Sequence, residues 1–152
     1  MKKEFERRTN KLVKNELGAL VLRVVLGIIF FIHGLTKFQE GINVTVERFT
    51  GYNIPYAEFV AFGVGGIELI GGLFLIIGFS VRFVSALLIG VMIGAIVTVG
   101  YDKGFLGGYE FNLALIGMAT YLMLAGSRLL ALDKLFTSEP KKKGRIEFKR
   151  SY

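Results

Sequence analysis

The chain has 152 residues, 53% of them hydrophobic, a formal charge of +7 and a mean hydropathy of +0.55. A soluble domain of this size cannot hide so much apolar surface, so the composition points to an integral membrane protein. There is no cysteine and one histidine, which excludes a thiol or disulfide redox centre, Cys-ligated zinc, iron–sulfur ligation by thiolate and a multi-His metal site.

In chain order, residues 1–16 (MKKEFERRTNKLVKNE) are charged, with Phe5, Leu12 and Val13 too sparse for a core. They read as a basic cytoplasmic segment that lies on the membrane surface or is disordered. Leu17 to Thr36 is long enough for a spanning helix and lacks the small-residue cleavage site of a secretory signal. Lys37 to Ala57 is polar, with a short helix expected over Val44 to Thr50, capped by Asn43 and stopped by Gly51. Glu58 to Phe79 is the second span, with Glu68 near its centre, and Ser80 to Arg82 form a tight turn that makes the second and third spans antiparallel neighbours. The third span, Phe83 to Gly100, carries Ala86, Gly90, Gly94 and Thr98 at intervals of four, a ridge of small residues expected to pack against another helix. A glycine-rich loop leads to the fourth span, Tyr109 to about Leu132, and then to Asp133 and a basic tail.

Lys and Arg crowd the two termini, with Arg82 at the turn, while the opposite side carries only Lys37, Arg48 and Lys103. By the positive-inside rule both termini are cytoplasmic. The expected fold is therefore an all-α membrane protein, an antiparallel bundle of four transmembrane helices over residues 17–133, flanked by basic cytoplasmic segments 1–16 and 134–152. The positive charge then serves topology and anionic lipid rather than nucleic acid.

A carboxylate at mid-membrane costs about 2.5–3.5 kcal/mol on insertion scales, so Glu68 needs a partner. Arg23, His33 and Lys37 fall within an arc of roughly 80° on the first helix. Because side chains lean toward their helix N-terminus, His33 and Glu68 are expected to converge. Arg23 is read either as snorkelling to the inner headgroups or as pairing with Glu68, and Lys37 is placed at the outer interface. Glu110 and Asn112 enter the fourth helix at the same outer level, so His33, Lys37, Glu68, Glu110 and Asn112 are expected to form a polar pocket open to the outer side. Glu68 and His33 are the candidate catalytic residues, with Arg23, Lys37, Glu110 and Asn112 as candidate binding residues. Glu68 either fixes helix register or exchanges protons with a membrane-dissolved carrier.

Four stretches carry a family resemblance: Leu22-Arg23-Val24-Val25-Leu26-Gly27; His33-Gly34-Leu35-Thr36-Lys37-Phe38; Ile67-Glu68-Leu69-Ile70-Gly71-Gly72-Leu73 with Gly78 and Arg82; and Gly108-Tyr109-Glu110-Phe111. In order and spacing, from about Leu17 to Asp133, they resemble the successive signatures of the DoxX family. The resemblance implies a four-helix, multi-pass bacterial inner-membrane protein that is an oxidoreductase or a subunit of one. It also implies a link to quinone-dependent oxidation of reduced sulfur compounds and to defence against oxidants and reactive quinones. Its relatives include non-enzymatic cargo receptors, so the competing expectation is a scaffold or small-molecule carrier for a partner complex. Many members have a His where Gly100 stands here, and the closing segment Gly126 to Asp133 lacks the second Gly and the Ser commonly seen in the family. The first departure weighs against a two-His metal or haem site. The expected cofactor is thus a quinone, with no metal, haem or iron–sulfur cluster held by this chain alone. The expected partners are the bilayer, a small hydrophobic ligand and soluble or membrane redox proteins.

Overall fold

The computed structural model describes residues 2–100 and 103–133, so the basic tail 134–152 lies outside the described residues. Among the described residues five α-helices follow one another: α1 Lys2–Gln39, α2 Ile42–Gly51, α3 Ala57–Ile77, α4 Val81–Ala95 and α5 Glu110–Ala125. A π-helical turn, Ile96–Gly100, extends α4, and another, Phe105–Tyr109, precedes α5. Helices α1, α3 and α4 with its extension are long and apolar enough to cross a membrane.

The charged N-terminal segment is helical rather than disordered, because α1 runs through residues 2–16 in an unbroken helix of 38 residues. Its Lys, Glu, Arg and Leu are good helix formers, no Gly or Pro interrupts positions 2–17, and Glu4 pairs with Arg8 one turn on. The result is a helix of about 57 Å, roughly twice the thickness of a hydrocarbon core. The short loop helix forms as α2, but Gly41 (φ 89°) rather than Asn43 stands at its N-cap. Helix α3 ends where Gly78 takes φ 73°, with Phe79 N–H donating to Phe74 O (2.8 Å), a Schellman-type close.

The ring of contacts runs α1 to α3, α3 to α4, α4 to α5 and back to α1. Leu26 and Phe30 of α1, Leu75 of α3, Val84, Leu88 and Met92 of α4, and Leu115, Ala119 and Leu122 of α5 fill the centre. The closest approach is between α1 and α3, whose contacts run in opposite chain order. A Cβ on Gly27 would lie 2.9 Å from Gly72 O, one on Gly72 would press on the backbone of Phe31, and one on Gly34 on the backbone of Leu69. Backbones meet here because three side chains are absent.

The ridge on α4 does not do this. A Cβ at Gly90 or Gly94 meets no heavy atom within 4 Å, and Ala86, Gly90, Gly94 and Thr98 are all exposed. The face of α4 turned to its neighbours is the one bearing Val84, Ser85, Leu88 and Met92, which fills space with side chains instead. The fourth apolar run also stops short of Leu132, because Gly126 (φ 71°) breaks the helix after Ala125.

Gly34→Ala and Gly72→Ala should each lower the melting temperature in detergent, whereas Gly90→Ala and Gly94→Ala should leave it within error. Equal sensitivity of the two sets would contradict the packing described.

Candidate functional site

Glu68 lies on the inner side of α3, its side chain 5% exposed, and its Oε2 forms an ion pair with Nζ of Lys37, whose side chain is 21% exposed. Gly34 makes the pair possible by letting α1 lie against Leu69 at this level. Lys37 stands one turn beyond and leans back toward the helix N-terminus, so that Nζ also reaches His33 O at 3.5 Å. A Lys stem spans that turn and carries its charge to the Glu68 carboxylate.

His33 and Glu68 were expected to converge; among the described residues no hydrogen bond or ion pair joins them directly. His33 is exposed at the edge of the stripe, its ring centroid 6.1 Å from that of Phe111 on α5. Phe111 stands between Glu110 and Asn112, which brings the start of α5 to the His33 level. Glu110 Oε1 accepts from Gly107 N–H (2.9 Å), tying the kinked turn before α5, and Asn112 is half-buried. Neither is joined to Glu68 by a hydrogen bond or ion pair among the described residues. Phe38, next to Lys37 in the chain, has its ring 3.2 Å from where a Cβ of Gly65 would be and 6.4 Å from the ring of Phe62. Among the described residues no group of three or more His, Asp or Glu is disposed to hold a metal ion. Among the described residues the site is therefore a buried carboxylate with one side-chain counterion.

Arg23 belongs to a different place. It lies 14 residues before Lys37, about 21 Å along the helix, and is 1% exposed. Its guanidinium neither snorkels nor meets Glu68. It donates to Ser127 O and Oγ (both 3.4 Å) and to Leu130 O (3.0 Å). Two turns earlier on the same face, Glu16 Oε2 accepts from the N–H groups of Arg128 (2.9 Å) and Leu129 (3.2 Å). Residues 126–133 thus form a strap clamped from α1, its carbonyls on a guanidinium and its amides on a carboxylate. The strap in turn serves the ends of its neighbours. Leu132 and Asp133 N–H donate to Ile77 O and Gly78 O (3.2 Å each), and Asp133 Oδ1 accepts from Ser80 N–H (2.8 Å). Arg82 closes the last side by donating to Ala125 O (3.3 Å). Sequence reasoning missed the strap because it has no periodicity. The available signals were a guanidinium that needs several acceptors and a glycine at 126 able to end the helix.

The family model described as DoxX matches residues 18–101. The Bacillus subtilis (strain 168) protein named "Putative oxidoreductase CatD" is 44% identical over 131 residues, covering 86% of this chain and 95% of the relative. The "Uncharacterized membrane protein Rv3486" of Mycobacterium tuberculosis (strain ATCC 25618 / H37Rv) is 30% identical over 123 residues, 81% of this chain and 76% of that one. No solved structure matches the chain. The family match contains Arg23, Lys37, Glu68, Gly78 and Arg82 and ends before the strap that Arg23 and Arg82 hold.

Arg23→Met should release the strap, and Arg23→Lys should nearly do so, because one ammonium cannot replace a planar fork facing several acceptors. Limited trypsinolysis at Arg128, which is exposed and held by Glu16, reads the outcome. Cleavage should be faster in both variants than in the parent, and unchanged rates would show that the strap is held by other means.

Proposed function

This chain belongs to the DoxX family, and from that premise and the buried Lys37–Glu68 pair we propose that it is a membrane protein of oxidoreductase type. It crosses a bacterial plasma membrane four times, with both termini in the cytoplasm, and acts on a small hydrophobic quinol-like ligand. The charge asymmetry of the flanks supports this orientation, and a C-terminal helix α5 of 16 residues, about 24 Å long, supports a short fourth span. The name carried by the Bacillus subtilis relative supports the reaction class.

The single observation that carries the reading is the pair itself. A buried carboxylate with one partly exposed ammonium as counterion suits the exchange of a proton. In this reading a ligand hydroxyl gives its proton to Glu68, while the Lys37 ammonium holds the oxyanion that forms. His33, exposed beside Phe111 and not hydrogen-bonded to Glu68, takes the proton onward through intervening water, and Glu110 and Asn112 rim the entry. None of these side chains is a redox centre, so the electrons pass to a bound quinone or a partner protein. Oxidant or electrophile defence is the physiological setting we propose. Arg23, engaged at the other end, takes no part in the chemistry.

Glu68→Gln keeps the shape and hydrogen bonding of the side chain but removes proton exchange. It should insert and fold normally yet lose quinone-linked turnover, measured in membranes at matched protein level. Lys37→Met should cost more stability than Glu68→Gln, because it leaves a buried carboxylate unpaired. The double variant should be non-additive by about 0.5–3 kcal/mol, as expected for groups in direct contact. Full turnover in Glu68→Gln would overturn the proton-exchange reading and favour a scaffold or carrier role. Topology is tested separately by cysteines at Glu40 and at Ser138, the latter in the tail beyond the described residues. An impermeant thiol reagent should label only the first from outside intact cells, and outside labelling of both would reverse the orientation proposed.

A further inference from the structure

The strap, residues 126–133, turns its small side chains inward and its large ones outward. Ser127 and Ala131 are buried, while Leu129, Leu130 and Leu132 are exposed, as is Leu124 in the last turn of α5. The inner side has no room for more, since a Cβ on Gly78 would lie 2.5 Å from Arg23 Nη1 and 2.7 Å from Ala131 Cα. Leu130 is 79% exposed and holds φ 50°, a left-handed conformation uncommon for a bulky side chain. Its carbonyl accepts from the Arg23 guanidinium (3.0 Å) while its side chain stands outward.

The depth of the strap says what surrounds these leucines. Its hydrogen bonds to α1 fall between Glu16 and Arg23, and the apolar run of α1 begins at Leu17, with Leu17 and Val21 themselves exposed. On the other side, Leu132 and Asp133 N–H reach Ile77 O and Gly78 O, at the end of the apolar helix α3. The strap therefore lies level with the ends of two apolar spans instead of beyond them, where a bilayer passes from acyl chains to headgroups. Leucines turned outward from a loop would be a liability in water, and at this depth acyl chains receive them. The charges agree. Glu16 and Asp133 accept from N–H groups of the strap and of Ser80, whereas Arg82 and Arg128 are exposed. We propose that the strap is an interfacial anchor: Leu124, Leu129, Leu130 and Leu132 enter the acyl-chain boundary of an anionic bilayer, and Arg82 and Arg128 meet its lipid phosphates.

The chain contains no tryptophan, so Leu130→Trp places a single reporter on the strap. Phe5→Trp, 11 residues before Glu16 on α1 and so about 16 Å farther out, is an exposed control. The full chain is reconstituted in vesicles of phosphatidylglycerol and phosphatidylcholine, with one or the other lipid brominated on its acyl chains close to the headgroup. Emission of Leu130→Trp should be blue-shifted and quenched, and that of Phe5→Trp should be neither. Brominated phosphatidylglycerol should quench at a mole fraction about fivefold lower than brominated phosphatidylcholine, the effect of one cation at an anionic surface, and Arg128→Gln should remove most of that preference. Leu132→Trp is a second reporter on the same strap, should Leu130→Trp fail to fold. Adding Leu130→Gly, which suits φ 50°, should make Leu132→Trp lose quenching without lowering its melting temperature in detergent. Quenching of the strap reporters no greater than that of Phe5→Trp would mean that water, the tail 134–152 or a protein partner covers these leucines, and would overturn the proposal. Equal quenching by the two lipids, or quenching indifferent to Leu130→Gly, would overturn it as well.

Discussion

The backbone contact between α1 and α3 fixes everything else. In lipid the apolar surfaces of helices gain little by leaving their surroundings, so association depends on close van der Waals contact and hydrogen bonds. Gly27, Gly34 and Gly72 supply the first by letting main chains touch. Once two stiff helices touch along this line their axial register is set, and both polar ends follow from it. Beyond Gly34, Lys37 falls beside Glu68; before Gly27, Arg23 falls beside Gly78 and the strap. A side chain at any of these glycines would displace the two ends together, which links packing in the middle of the molecule to chemistry at its extremities.

The strap solves a problem common to helix ends in a membrane protein. The last carbonyls of a helix and the first amides of the next have no partners within their own helices, and near hydrocarbon water does not supply them reliably. Here Leu132 and Asp133 donate to the end of α3, and the Asp133 carboxylate accepts at the start of α4. The strap's own peptide groups are met by Arg23 and Glu16, whose long side chains reach from α1. An arginine suits the position because one planar group faces several acceptors in different directions.

Much of this was legible in the sequence, and the part that was not has a physical reason. The apolar runs announced the long helices, and Glu68 announced that it needed a partner, because burial of a lone carboxylate is costly whatever the fold. Helical angles placed Arg23, His33 and Lys37 on one stripe, but an angle says nothing about reach. Lys37, with four methylenes, crosses a turn and meets Glu68, while His33 at the stripe's edge stays exposed. The small-residue ridge misled because glycine spacing looks the same on a contact face and on a bare one. On α1 and α3 the glycines face a neighbour; on α4 they face outward. The strap was invisible because its order comes from partners more than 100 residues away in sequence.

The two polar ends differ in a way that bears on which of them does chemistry. Arg23 is sealed from solvent, and its terminal nitrogens bond to backbone carbonyls and a serine hydroxyl. Carbonyl acceptors fixed in a main chain cannot leave without unfolding the strap, and they neither take nor give protons. Glu68 instead meets a flexible side chain that is itself partly open to the surroundings. In the function proposed above, the flexible ammonium turns from carboxylate to ligand oxyanion at the cost of a rotamer change, as the ligand's proton passes to the carboxylate. Exchangeable partners on titratable groups are what the proposed proton transfer requires, and of the two buried polar ends described it is the Lys37–Glu68 end that has them.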